Sequence, residues 1–86
     1  MKLIKIGASW CSACLITNSR FYEVIKNFPD IEVIEYDYDF DNFEIEKYNV
    51  GKVIPVFILE KDGEVISRLV GERSKKEMIE FIERSI

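Results

Sequence analysis

The residues best suited to do chemistry are Cys11 and Cys14, the only thiols in the chain, set in the run Trp10-Cys11-Ser12-Ala13-Cys14 just after a short apolar segment. Two cysteines with two residues between them at the start of a helix can close a disulfide over a very small loop. The free N–H groups and dipole of the helix start favour a thiolate on the first sulfur. That combination describes a reversible redox couple. The competing readings are a structural disulfide, half of a metal site and a pair of inert thiols. Zinc needs about four ligands, so two cysteines in a chain without histidine would require a dimer or added carboxylates.

The elements that must position this pair can be read from the hydrophobic pattern. Leu3-Ile4-Lys5-Ile6 is a short interior strand. From Ser12 the pattern turns helical: Phe21, Val24, Ile25 and Phe28 fall at helical spacing, and Pro29 ends the segment. Ile31 to Asp37 is a second strand. Asp41 with Glu44 makes an acidic, capping-box-like start to a short helix reaching about Tyr48, where Asn49 and Gly51 are stop signals. Pro55 introduces a buried strand, Val56 to Leu59. Asp62-Gly63 is a tight turn, and Glu64 to Val70 is the returning strand of a hairpin. Ser74-Lys75-Lys76-Glu77 is a capping box, followed by Met78, Ile79, Phe81, Ile82 and Ile86 on one face of a last helix.

The order is β-α-β-α-β-β-α. A right-handed crossover makes the first two strands parallel neighbours. The hairpin then completes a four-stranded mixed sheet with helices on both faces. The 86 residues form a single domain, 1–86, and 48% hydrophobic content suffices for one core. There are no repeats, low-complexity stretches or linkers. No segment is long enough to span a membrane, and Met1 to Ile6 lacks the features of a signal peptide, which points to a cytoplasmic protein. Twelve basic against 16 acidic residues argue against nucleic acid as a partner.

Taken together, these elements resemble the thioredoxin superfamily. The resemblance is carried by Trp10-Cys11-x-x-Cys14 after the first strand, Ile54-Pro55 before the third, Lys61-Asp62-Gly63-Glu64-Val65 at the hairpin, and Gly71 before the last helix. It spans almost the whole chain. Three departures stand out. The additional N-terminal strand and helix of thioredoxins are missing, which brings the length closer to a glutaredoxin. The dipeptide between the cysteines is Ser12-Ala13, where thioredoxins have Gly-Pro and glutaredoxins Pro-Tyr. Lys5 aligns with the buried aspartate of thioredoxins, and Glu35 with their neighbouring lysine. The expectation is a charge-swapped pair, Lys5 with Glu35, beneath the cysteines; side chains reaching out to solvent are the alternative.

The resemblance implies a thiol-disulfide oxidoreductase. Cys11, the more exposed sulfur, is the nucleophile, and Cys14 resolves the mixed disulfide. It also implies a cis bond before Pro55 and a substrate groove made by Trp10, Ile54, Pro55, Val70 and Gly71, in which an extended chain pairs with Ile54. Ser12 and Ala13 tune the redox potential, with Ser12 able to hydrogen-bond locally. No flavin or nicotinamide fingerprint is present, so electrons come from a separate reductase or a small thiol, and the substrates are protein or small-molecule disulfides. The expected form is a monomer without metal or membrane partners.

Three functions compete: a thioredoxin-type protein-disulfide reductase, a glutaredoxin-like enzyme using glutathione, and a binding module that reports redox state. Gly71-Glu72-Arg73 is a poor copy of the Gly-Gly-x-Asp element that grips glutathione, which favours the first. Asp37 to Asn42 superficially suggests a calcium loop, but an EF-hand needs a glycine and a closing glutamate where this chain has Asn42 and Tyr48. Tyr36, Tyr38, Phe40, Phe43 and Tyr48 are mostly core or packing residues by default, an exposed partner surface being the alternative for some of them.

Overall fold

The computed structural model describes residues 1–86. Its elements are β1 (Lys2–Gly7), α1 (Ser12–Ile25), β2 (Glu32–Asp37), α2 (Asn42–Glu46), β3 (Val56–Lys61), β4 (Glu64–Val70) and α3 (Lys75–Glu83). The four strands form one sheet in the order β2-β1-β3-β4. β1 runs parallel to β2 and antiparallel to β3, and β4 pairs antiparallel with β3. β1 is therefore an interior strand, which is why it is apolar on both faces apart from Lys5 and the exposed Lys2 at its start.

Alternation along β1 and β3 sends side chains into two cores. On one face Leu3, Phe57 and Leu59 meet Phe21 and Val24 of α1 and Met78, Phe81 and Ile82 of α3. On the other, Ile4, Ile6, Val56 and Ile58 meet Ile45 and Tyr48, the region of α2. The Tyr48 hydroxyl donates to Glu60 Oε2 at 3.1 Å, tying this short helix to the sheet. Burial, reinforced by that carboxylate, pushes the Tyr48 hydroxyl up to about 12.

Local signals explain most boundaries. Asp62 and Gly63 both have positive φ, as a two-residue hairpin turn with right-handed strand twist requires. The Ser74 hydroxyl accepts from the Glu77 N–H at 3.2 Å while the Glu77 carboxylate accepts from the Ser74 N–H at 3.1 Å. That is the full capping box read from the sequence.

Three expectations need correction. α1 ends at Ile25, short of Phe28, because the chain tightens there: the N–H groups of Asn27 and Phe28 bond three residues back, to Val24 and Ile25. Asp41 precedes α2, but its side chain makes no cap bond. It accepts instead from the Asp37 N–H at 2.6 Å, closing the loop behind β2. α3 stops at Glu83, which leaves Ile86 exposed beyond the helix.

One buried group lacks a partner. Thr17 lies on the inward stripe of α1 with Cys14, Phe21 and Val24, and its hydroxyl makes no hydrogen bond. Thr17→Val removes the orphan hydroxyl and keeps the branched shape. It should stabilise the fold by about 1 kcal/mol, read from the urea midpoint. A loss of stability would show that the hydroxyl finds a partner in solution.

Candidate active site

The two cysteines sit where β1 hands over to α1. Cys11 is the N-cap residue, in extended conformation, and the Cys14 N–H donates to its sulfur at 3.2 Å. A backbone donor aimed at sulfur bonds more strongly to a thiolate than to a thiol. Both cysteines are free and buried, Cys11 at 7% exposure and Cys14 at 2%. Cys14 lies one turn into the helix, against the strand end: a β-carbon on Gly7 would come within 3.2 Å of its sulfur. Burial, then the hydrogen bond with Cys11, pushes the Cys14 thiol up to about 11, while a backbone bond to Ala8 and the charge of Lys5 act against that rise.

The far wall comes from the segment between α2 and β3. The Ile54–Pro55 bond is cis, and the Ile54 carbonyl accepts from Cys11 Sγ at 3.8 Å. The Pro55 carbonyl accepts from the Gly71 N–H at 2.8 Å, and Val70 stands opposite Val56 in the β3–β4 ladder. Ile54, Pro55, Val70 and Gly71 thus form one connected edge beside Cys11. Gly71 has φ of +88°, so its need for glycine is conformational.

Trp10, next to Cys11 in the chain, is 63% exposed, and its ring is held by its N–H, which donates to Asp39 Oδ2 at 2.6 Å, and by an edge contact with Tyr38. Ser12 is exposed and Ala13 half-buried in the first helical turn. The structure sorts the aromatics between Tyr36 and Tyr48: Phe40 and Phe43 are the exposed ones, at 85% and 86%.

Beneath the cysteines, Lys5 and Glu35 stand opposite each other in the β1–β2 register, with Lys5 Nζ 2.8 Å from Glu35 Oε1. Lys5 is buried and Glu35 half-exposed. Hydrogen bonds from Lys5 and Tyr22 hold the Glu35 carboxyl below the usual carboxylate range.

Sequence reasoning missed four participants. Asp39 orients Trp10, Gly7 makes room for the Cys14 sulfur, and Asn18 and Tyr22 bond Lys5 from α1. Asn18 and Tyr22 do carry a signal, since they lie four and eight residues after Cys14, along one side of the helix.

A cysteine pair capping a helix beside a proline loop, on a sheet of this topology, defines a dithiol–disulfide site. The thioredoxin family model matches residues 1–84, and the chain belongs to the thioredoxin family. An H-type thioredoxin of Fagopyrum esculentum is 32% identical over 80 residues, 93% of this chain and 67% of the relative. A thioredoxin of Chlamydia trachomatis is 30% identical over 82 residues, covering 95% and 79%. Among solved structures, thioredoxin of Fasciola hepatica superposes with a TM-score of 0.87 at 26% identity, over 96% of this chain and 78% of that one. Plasmodium falciparum thioredoxin shares the fold at a TM-score of 0.88 and 24% identity, over 99% and 81%.

Proposed function

We propose that this chain is a protein-disulfide reductase of thioredoxin type, with Cys11 as nucleophile and Cys14 as resolving thiol. The observation that carries the reading is the Cys14 N–H donating to Cys11 Sγ at the helix N-cap. The second thiol lies within the same turn, on the buried side.

The Cys11 thiolate attacks one sulfur of a substrate disulfide, the substrate S–S bond breaks, and the first substrate thiolate leaves. Cys14, having lost its proton, attacks the Cys11 sulfur. The Cys11–Cys14 bond forms, the mixed disulfide breaks, and the second thiolate leaves and is protonated. The substrate gains two electrons and the protein loses them. An external reductase or small thiol returns them. Trp10, Ile54, Pro55, Val70 and Gly71 form the groove, in which an extended substrate strand pairs with Ile54.

A protein substrate is favoured over glutathione by the segment after β4. Glu72 pairs with Arg20 at 3.3 Å and Arg73 with Glu77 at 3.1 Å, so the polar groups where a glutathione carboxylate would be gripped are already engaged.

The test is the equilibrium potential of the Cys11–Cys14 couple, together with turnover of a protein disulfide. A potential near about −270 mV with turnover supports a reductant, whereas about −230 to −120 mV points to a glutaredoxin-like, isomerase or oxidant role. Failure to form a disulfide at any poise would reject the enzyme and leave a binding module.

A further inference from the structure

Lys5 is a buried ammonium among the apolar residues of β1, and each of its three donors has an acceptor. Nζ lies 2.6 Å from Asn18 Oδ1, 2.8 Å from Glu35 Oε1 and 3.4 Å from the Tyr22 hydroxyl. The Tyr22 hydroxyl donates in turn to Glu35, leaving its oxygen free to accept from Lys5. Such a clamp fixes a long side chain that would otherwise keep several rotamers.

The clamp sets the charge close to Cys14. Asn18 is one helical turn beyond Cys14, about 6 Å along the helix. Gly7, two residues from Lys5 on the same strand face, abuts the Cys14 sulfur. An open cleft of about 370 Å³, lined by Lys5, Gly7, Asn18, Tyr22, Glu35 and Asp37 among others, joins the Lys5 cluster to solvent.

An ammonium has no lone pair, so Lys5 cannot take the proton of Cys14; it can only stabilise the anion left behind. We propose that Lys5, held by Asn18, Tyr22 and Glu35, is a positioning residue that acts through Cys14, stabilising its thiolate as it resolves the mixed disulfide. This rests on Cys14 being the resolving thiol. The proton leaves to solvent, the thiolate attacks the Cys11 sulfur, and the departing thiolate of the substrate is protonated from solvent. Glu35 sets the strength of the effect, because its negative charge offsets part of the field of Lys5 at the sulfur.

The cleft holds two further carboxylates, each bonded to backbone N–H groups and not to Lys5. Asp41 accepts from the Asp37 N–H, and Asp37 accepts from the N–H groups of Asp39 and Phe40. Tyr36 on β2 lines the same cleft, and β3 sets the apolar Phe57 opposite Lys5. Lys5 is therefore the one cation of this cleft, and Glu35 the carboxylate in contact with it.

The test uses the full chain with Cys11 joined to thionitrobenzoate as a mixed disulfide. Release of the coloured thiolate as Cys14 closes the bond is followed across neutral and mildly alkaline pH. Lys5→Met should slow release about tenfold, equivalent to a shift of the profile by about one pH unit. Glu35→Gln should speed it, and Lys5→Arg should stay near the parent. An ion pair with a merely structural role is broken alike by Lys5→Met and Glu35→Gln, so changes in the same direction would overturn the inference. Circular dichroism checks folding. If Lys5→Met does not fold, Glu35→Gln decides alone, and an unchanged or slower rate refutes the proposal. No release from the parent would overturn instead the assignment of Cys14 as resolving thiol, and this inference with it.

Discussion

Cys11→Ser should lower turnover of a protein disulfide by at least about a thousandfold, the scale expected when a nucleophile is removed. Cys14→Ser should also stop turnover, but at a different stage. Cys11 still attacks, and with no thiol to close the second bond the protein accumulates joined to half of its substrate. Mass spectrometry or a non-reducing gel separates the cases: Cys14→Ser gains the mass of the substrate half, Cys11→Ser does not. The asymmetry follows from placement. Cys11 lies beside Trp10, Ile54 and the solvent-facing edge, with a backbone N–H on its sulfur. Cys14 packs against Gly7 at 2% exposure, and burial alone pushes its thiol up, so without Cys11 it offers little thiolate and little access. Trapping through Cys14 in the Cys11→Ser protein would reverse the roles proposed for the two sulfurs. Equal turnover in all three proteins would remove the cysteines from the function altogether.

How far the sequence could be read depended on the range of the interaction involved. The capping box at Ser74, the turn at Asp62-Gly63 and the apolar β1 are local, and the structure keeps them as the spacing predicts. The opposition of Lys5 and Glu35 is within reach through the resemblance, which aligns the two residues with a facing pair on adjacent strands. The remaining partners of Lys5 are not, since Asn18 and Tyr22 meet it only once the rotation of α1 over the sheet is set. Asp41 failed for another reason. A short carboxylate can cap the helix that follows or bind the backbone of the strand before it, and both routes are close in space. Here the Asp37 N–H took it. Trp10 adjoins Cys11 in the chain, yet its partner Asp39 lies 29 residues away and has no local signature. The aromatics posed the hardest case, because hydrophobicity alone does not distinguish a phenylalanine under a helix from one on a loop.

That difference sets up a test of the core itself. Phe57→Ala should cost about 3–5 kcal/mol, whereas Phe43→Ala should change stability by less than about 0.5 kcal/mol. Phe57 is 1% exposed on the interior strand β3, its ring 5.3 Å from that of Phe21, in the layer closed by Met78, Phe81 and Ile82. Truncating it removes apolar contact on the sheet side and leaves a cavity that Phe21 fills only in part. At about 0.05–0.15 kcal/mol per residue, a chain of this length holds about 4–13 kcal/mol in all, so this one change consumes a large share of its stability. The loss would reach the site as well, because Phe57 stands opposite Lys5 in the β1–β3 ladder and walls the layer through which α1 holds Asn18 and Tyr22 against that ammonium. Urea unfolding of the two variants beside the parent reads the contrast directly. A cost under about 1 kcal/mol for Phe57→Ala would mean that α1 and α3 do not pack on this face of the sheet as described, since full burial of a phenylalanine admits no smaller value unless the surrounding layer collapses into the space. A large cost for Phe43→Ala would mean that its ring is covered in solution by something other than the residues around it here.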